Sequence, residues 1–187
     1  YEGIIRPDTV FSASTPTMLS EGPFGYLCED VDAALGELLM QVRANLPARD
    51  RSRIQAFSIS SHGSSNFICL DEDGRAIFGT PSYDHLLTEQ DHALFYETFG
   101  SADDLYLETG TPAQPKALSW AKLLFHHMTH HNEQWKNVRY IVPLSSYIAF
   151  KLCRSFDSLV SEHTHLQNHG YGRRSDMSLS SVIRTMD

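Results

Sequence analysis

The sequence predicts a single α/β domain spanning residues 1–187. Three observations predict it. The length supports one core and not comfortably two. A clean amphipathic helix, CEDVDAALGELLMQVRANL, lies between short extended pieces and the strand-like run at 54–60. A strand, a long helix and another strand in that order point to a crossover unit, hence a mixed, partly parallel sheet flanked by helices.

Each element has its own signal. Residues 3–5 and 10–12 are short extended pieces, closed by the Thr15-Pro16 turn and the Gly22-Pro23 break. In the first helix Val31, Leu35, Leu38, Leu39, Val42 and Leu46 recur at helical spacing, and Glu29 and Asp30 occupy the first turn, where the dipole favours them. Residues 47–53 form a polar link into the strand. That strand breaks at Ser61-His62-Gly63-Ser64-Ser65, and a second apolar run, Phe67 to Leu70, ends in the acidic turn Asp71-Glu72-Asp73-Gly74. A short strand, Ala76 to Phe78, follows. Thr88 with Asp91 three residues on predicts a capping box opening a helix through EQDHALFYETF, with Gly100 as its stop. Residues 101–116 hold two prolines and little periodicity, so a loop is expected there. Then come a helix through ALSWAKLLFHHM, a buried strand RYIVPL, a helix SSYIAFKLCRS, and a polar, irregular final stretch of about 30 residues.

Composition narrows the function classes. Hydrophobic residues make up 41% and charged residues 20% of the chain, as in ordinary globular proteins. The net charge of −8 argues against a nucleic-acid partner, which needs a basic face. No run approaches the roughly 18 apolar residues of a membrane span, and Tyr1 to Asp8 lacks a signal-peptide layout. Cys28, Cys69 and Cys153 are odd in number and far apart, which favours reduced thiols and a cytoplasmic location.

Two histidine-rich stretches stand out. In HHMTHH, His126/His130 and His127/His131 each have the i, i+4 spacing that puts two imidazoles on one helix face, a pattern that can hold zinc if a third ligand joins. The competing and preferred expectation is a solvated helix end, where histidine suits the C-terminal dipole, and no metal site. In SEHTHLQNHGYG, His163, His165 and His169 are mixed with Thr164, Gln167, Asn168 and Tyr171, a hydrogen-bonding palette fit for sugar hydroxyls or for a plain polar loop. The sequence contains no G-x-S-x-G elbow and no phosphate-cradling G-x-x-x-x-G-K-S/T or G-x-G-x-x-G.

Taken in order, several segments resemble the N-terminal, sugar-binding lobe of the FGGY carbohydrate kinases, most of all the fuculokinase- and rhamnulokinase-like branch. They are GYLCEDVDAALGELLMQVRANL, IQAFSISSHGSSNFICLDEDGRAI, TPSYDHLLTEQDHALFYETFG, TGTPAQPKALSWAKLLFHH, VPLSSYIAFKL and SEHTHLQNHG, together covering about 26 to 172. The resemblance implies a ribonuclease H-like, actin-like ATPase lobe. It also implies transfer of the γ-phosphoryl of ATP, with magnesium, to a sugar or polyol hydroxyl. By the same resemblance His62 and Gly63 floor the sugar site, Tyr83 and Asp84 form its second contact, and His169 its third. The family's Asp-x-Gly-x-Thr phosphate loop is not found here, and its catalytic aspartate falls beyond the matching region. The resemblance therefore implies a partial lobe, truncated at both ends, inactive alone. A missing strand would leave a sheet edge open to a homodimer. The alternative expectation is a non-catalytic sugar-sensing or partner-binding domain that kept the kinase fold.

Overall fold

The computed structural model describes residues 9–14, 28–61, 67–79, 87–111, 120–161, 170 and 172–186. Helix α1 spans Cys28–Asn45, as its periodicity predicts. Among the described residues, its apolar contact with the buried clusters runs through Val31. Val31 packs against Ile68, Leu70, Val142 and Tyr147, whereas Leu39 is 49% and Met40 66% exposed. A polar tie supplements that contact. The Tyr147 hydroxyl donates to the Asp32 carboxylate at 3.0 Å, and Lys151 Nζ reaches the same group at 2.7 Å.

The polar link after α1 contains a single helical turn, α2 (Ala48–Arg51). Arg51 Nη1 donates to the carbonyls of Arg43 and of Leu46, the latter at 2.9 Å, so a guanidinium covers the open C-terminal carbonyls of α1. The strand expected at 54–60 is not formed. Residues 54–61 are irregular, no ladder partner lies beside them among the described residues, and Ile54 and Phe57 are both 56% exposed. An apolar run becomes a strand only where a second backbone accepts its hydrogen bonds.

Strand β1 (Phe67–Leu70) pairs antiparallel with β2 (Tyr140–Pro143), Phe67 opposite Pro143 and Leu70 opposite Tyr140. Among the described residues this antiparallel pair is the sheet, rather than the partly parallel one expected. All four β1 side chains are buried, because both faces are covered. Phe67 and Cys69 enter the larger apolar cluster, and Ile68 and Leu70 the smaller, the two-residue alternation of a strand. The acidic turn closes as expected, with Asp71 Oδ1 accepting from the amides of Asp73 and Arg75 at 2.9 and 2.8 Å. Gly74 has φ +77°, and a Cβ there would lie 2.5 Å from Phe150 Cζ, so both conformation and space select glycine. The short strand expected at 76–78 is reduced to one bridge, Leu70 to Ala76.

Helix α3 (Glu89–Phe99) opens on the predicted capping box between Thr88 and Asp91 and ends at Gly100. Residues 101–116 are not all loop. Ser101 caps α4 (Ala102–Thr109) by accepting from the Asp104 amide, and Gly110 closes it at φ 73°. Helix α5 (Trp120–His130) runs through the centre, with Ala121, Leu123, Leu124 and Phe125 all buried. A short turn, α6 (Asn132–Trp135), leads to β2, and α7 (Leu144–Cys153) starts directly after Pro143. The final stretch, expected to be irregular, holds a 3-10 turn at Phe156–Ser158 and helix α8 (Ser181–Met186). Glu108 of α4 accepts from the Ser181 amide and hydroxyl at 2.8 and 2.6 Å, so a distant carboxylate serves the start of α8. Val182 and Met186 join the core around α5. No described helix is long and apolar enough to cross a membrane.

Candidate functional site

The residues assigned to a sugar site from sequence, His62, Gly63, Tyr83, Asp84 and His169, all lie outside the described residues. The structure does describe the residues that immediately follow those segments. Phe67 opens β1, Leu87 precedes the cap of α3, and Gly170 follows His169. Phe67 and Leu87 belong to one buried cluster with Ala121. Gly170 is buried at φ +78°, and a Cβ there would stand 3.6 Å from that of Ala121. The Ser180 hydroxyl donates to the Gly170 carbonyl at 2.6 Å. Phe67, Leu87 and Gly170, far apart in sequence, thus meet around Ala121 in one buried core.

A polar cluster on α3 and α5 is fully described. His126 Nδ1 lies 3.1 Å and His130 Nε2 3.2 Å from the same atom, Asp91 Oδ1. The other carboxylate oxygen is already engaged: Thr88 donates to Asp91 Oδ2 from its hydroxyl at 2.6 Å and its amide at 3.2 Å. Helix capping therefore orients this carboxylate, turning Oδ1 toward α5. Burial pushes the Asp91 carboxyl up, but the Thr88 hydroxyl, the His126 hydrogen bond and charge, and the Thr88 amide together hold it at about 2. The His126 side chain is sheltered, whereas that of His130 is half exposed.

The second histidine pair behaves differently. His127 is fully buried, its ring stacked on Phe78 with centroids 4.2 Å apart and planes 2° from parallel. A solvated helix end, the expectation for this stretch, fails at His127 and holds only near His130. Burial, and then the neighbouring His126 and His130, hold His131 below the usual imidazole range. Earlier on α5 Lys122 is also buried, its ammonium 4.8 Å from the Tyr96 ring centroid, and burial lowers it from 10.5 to about 8. His92 is buried beside them and is lowered by burial and by the Lys122 charge, against the opposing charge of Asp91. Asp91 was visible in the sequence only as a capping residue. Its approach to histidines 35 and 39 positions away has no local signal.

No family model and no curated protein sequence matches the chain. Solved structures do resemble it. The xylulose kinase and the gluconate kinase from Lactobacillus acidophilus each superpose with a TM-score of 0.71 at 15% identity, over 93% of this chain. The xylulose kinase from Rhodospirillum rubrum does so with a TM-score of 0.60 at 13% identity, over 95% of it. In each case the chain spans about a third, 34%, of the solved protein. The chain therefore shares its fold with about a third of each of these solved kinases. The structural likeness is to xylulose and gluconate kinases and lends no support to the fuculokinase- and rhamnulokinase-like branch.

Proposed function

We propose that the chain is the sugar-binding lobe of an ATP-dependent carbohydrate kinase. The observation that carries this reading is the superposition on sugar kinases over 93% of the chain, joined to the family motifs in their order along the sequence. The common rooting of Phe67, Leu87 and Gly170 supports it further, because a sugar site needs its contact loops held on rigid elements. In this reading Gly63 lets the backbone approach the sugar closely. His62 and His169 exchange hydrogen bonds with hydroxyls, Tyr83 adds a further contact, and the Asp84 carboxylate accepts from two hydroxyls at once.

ATP and magnesium belong to the remainder of such an enzyme, as does the aspartate that would deprotonate the accepting hydroxyl. Among the described residues the one cluster of potential metal ligands is Asp91, His126 and His130. Its imidazole nitrogens do not suit magnesium, which takes oxygen ligands. This chain's own task is to bind and orient the acceptor, which is most of what phosphoryl transfer asks of a protein.

The test is thermal unfolding of the chain against xylulose, gluconate, deoxyhexoses and polyols. A bound sugar at a hundredfold excess over Kd stabilises by about 2.7 kcal/mol. A stabilisation restricted to one sugar class and lost in His62→Ala and Asp84→Asn is the expected result. A flat panel from a folded chain would reject this lobe as a sugar binder in its own right. ATP hydrolysis by the chain alone would reject the placement of the nucleotide site elsewhere.

A further inference from the structure

We propose that Asp91, His126 and His130 form a binding site for a borderline divalent cation, zinc foremost. None of the three belongs to the sugar set, and the inference does not depend on the kinase reading. One nitrogen from each imidazole and one carboxylate oxygen all lie within 4.8 Å of one another. Tetrahedral zinc with bonds of about 2.0–2.1 Å separates its ligand atoms by about 3.3 Å. The two separations that involve Asp91 Oδ1, 3.1 and 3.2 Å, already match that edge. The nitrogen–nitrogen separation, within 4.8 Å, closes on it by rotation of the half-exposed His130 ring. Without a cation both rings must donate to a single oxygen; with one, each nitrogen presents a lone pair instead.

The donor set selects the metal. Two imidazoles and one carboxylate suit zinc, and also cobalt(II) and nickel(II), over magnesium or calcium. The carboxylate is fixed by the two Thr88 hydrogen bonds to Oδ2, the outer-shell support that working metal sites need. The half-exposed His130 side chain gives an entry path and leaves a fourth position for water. The i, i+4 spacing brings the two histidines onto one face, with ring centroids 4.5 Å apart. A bound cation would fasten the first turn of α3 to the C-terminal part of α5.

The experiment is zinc uptake by the whole chain after dialysis at neutral pH, followed by competition with a chromogenic chelator. Cobalt(II) substitution supplies a spectroscopic readout. The expected result is one zinc per chain, the visible absorption of tetrahedral cobalt(II), and a melting temperature raised by zinc. His130→Gln changes a half-exposed side chain, so the fold is retained, and affinity should fall by at least about tenfold. The double variant His126→Gln/His130→Gln should lose both the metal and the thermal shift. A chain that keeps no zinc overturns the proposal. So does zinc held equally well by the double variant, which would assign it to other histidines, such as His163, His165 or His169.

Discussion

Helices α1 and α5 are both apolar along one face, yet only α5 is enclosed. Leu123 and Leu124 are 0% and 1% exposed, in one cluster with Phe95, Val182 and the β1 residues Phe67 and Cys69. On α1, Leu35, Leu38 and Val42 are only half-buried and Leu39 is half exposed. Among the described residues, α1 meets the buried clusters through Val31, joined to the Asp32–Tyr147–Lys151 tie. Periodicity announces a face that could be covered; the cover itself comes from distant parts of the chain.

The contrast can be broken at several points. The largest effect is expected in α5. Leu123→Ala leaves a cavity in a sealed site and should cost about 3–5 kcal/mol, read from urea unfolding. A cost below about 1 kcal/mol would show that the core collapses around the gap and is not rigid.

Lys122 supplies the next effect, with the opposite sign. Its folded-state value, about 8, lies below the ordinary 10.5, so between those limits the unfolded chain holds the proton more tightly. Stability should therefore rise with pH across that window, and the penalty is complete below it. Lys122→Met should stabilise the protein at pH 7 by about 1–2 kcal/mol and remove this rise. The two proteins should converge in melting temperature as pH climbs toward 10. Parallel melting curves across that range would place the ammonium in water.

On the α1 side the effects shrink. Tyr147→Phe removes the donor to Asp32 and should cost about 1 kcal/mol, with faster amide exchange confined to α1. Leu39→Ala should lie within about 0.5 kcal/mol of zero. A cost several times larger would mean that another surface covers this face in solution.

What could be read from sequence follows the same division. The capping box at Thr88 and Asp91 and the acidic turn closed by Gly74 were legible because each is completed within four residues. Helix α4 carried its own local signals, Ser101 three residues before Asp104 and Gly110 at its end, but two prolines nearby obscured them. The run at 54–60 misled because a strand depends on a partner that the run itself does not specify. Phe78 turns His127 inward, and Asp91 gathers His126 and His130; both events join residues that no window of sequence links. Sequence spacing offered two equivalent histidine pairs, and only the packing of α5 distinguishes them. The proposed sugar residues were legible only through family resemblance, because a histidine beside a glycine has no chemistry until a fold surrounds it.

The direct passage from β2 into α7 has a mechanical consequence. Pro143 ends the strand and Leu144 begins the helix, so no loop residue stands between them. Proline holds its own φ, here −59°, within a narrow range. Phe67, the first residue of β1, faces Pro143 across the ladder. A rotation of α7 would thus reach the first residue of β1 through a ladder pair and a proline of fixed φ, with no connecting loop in between.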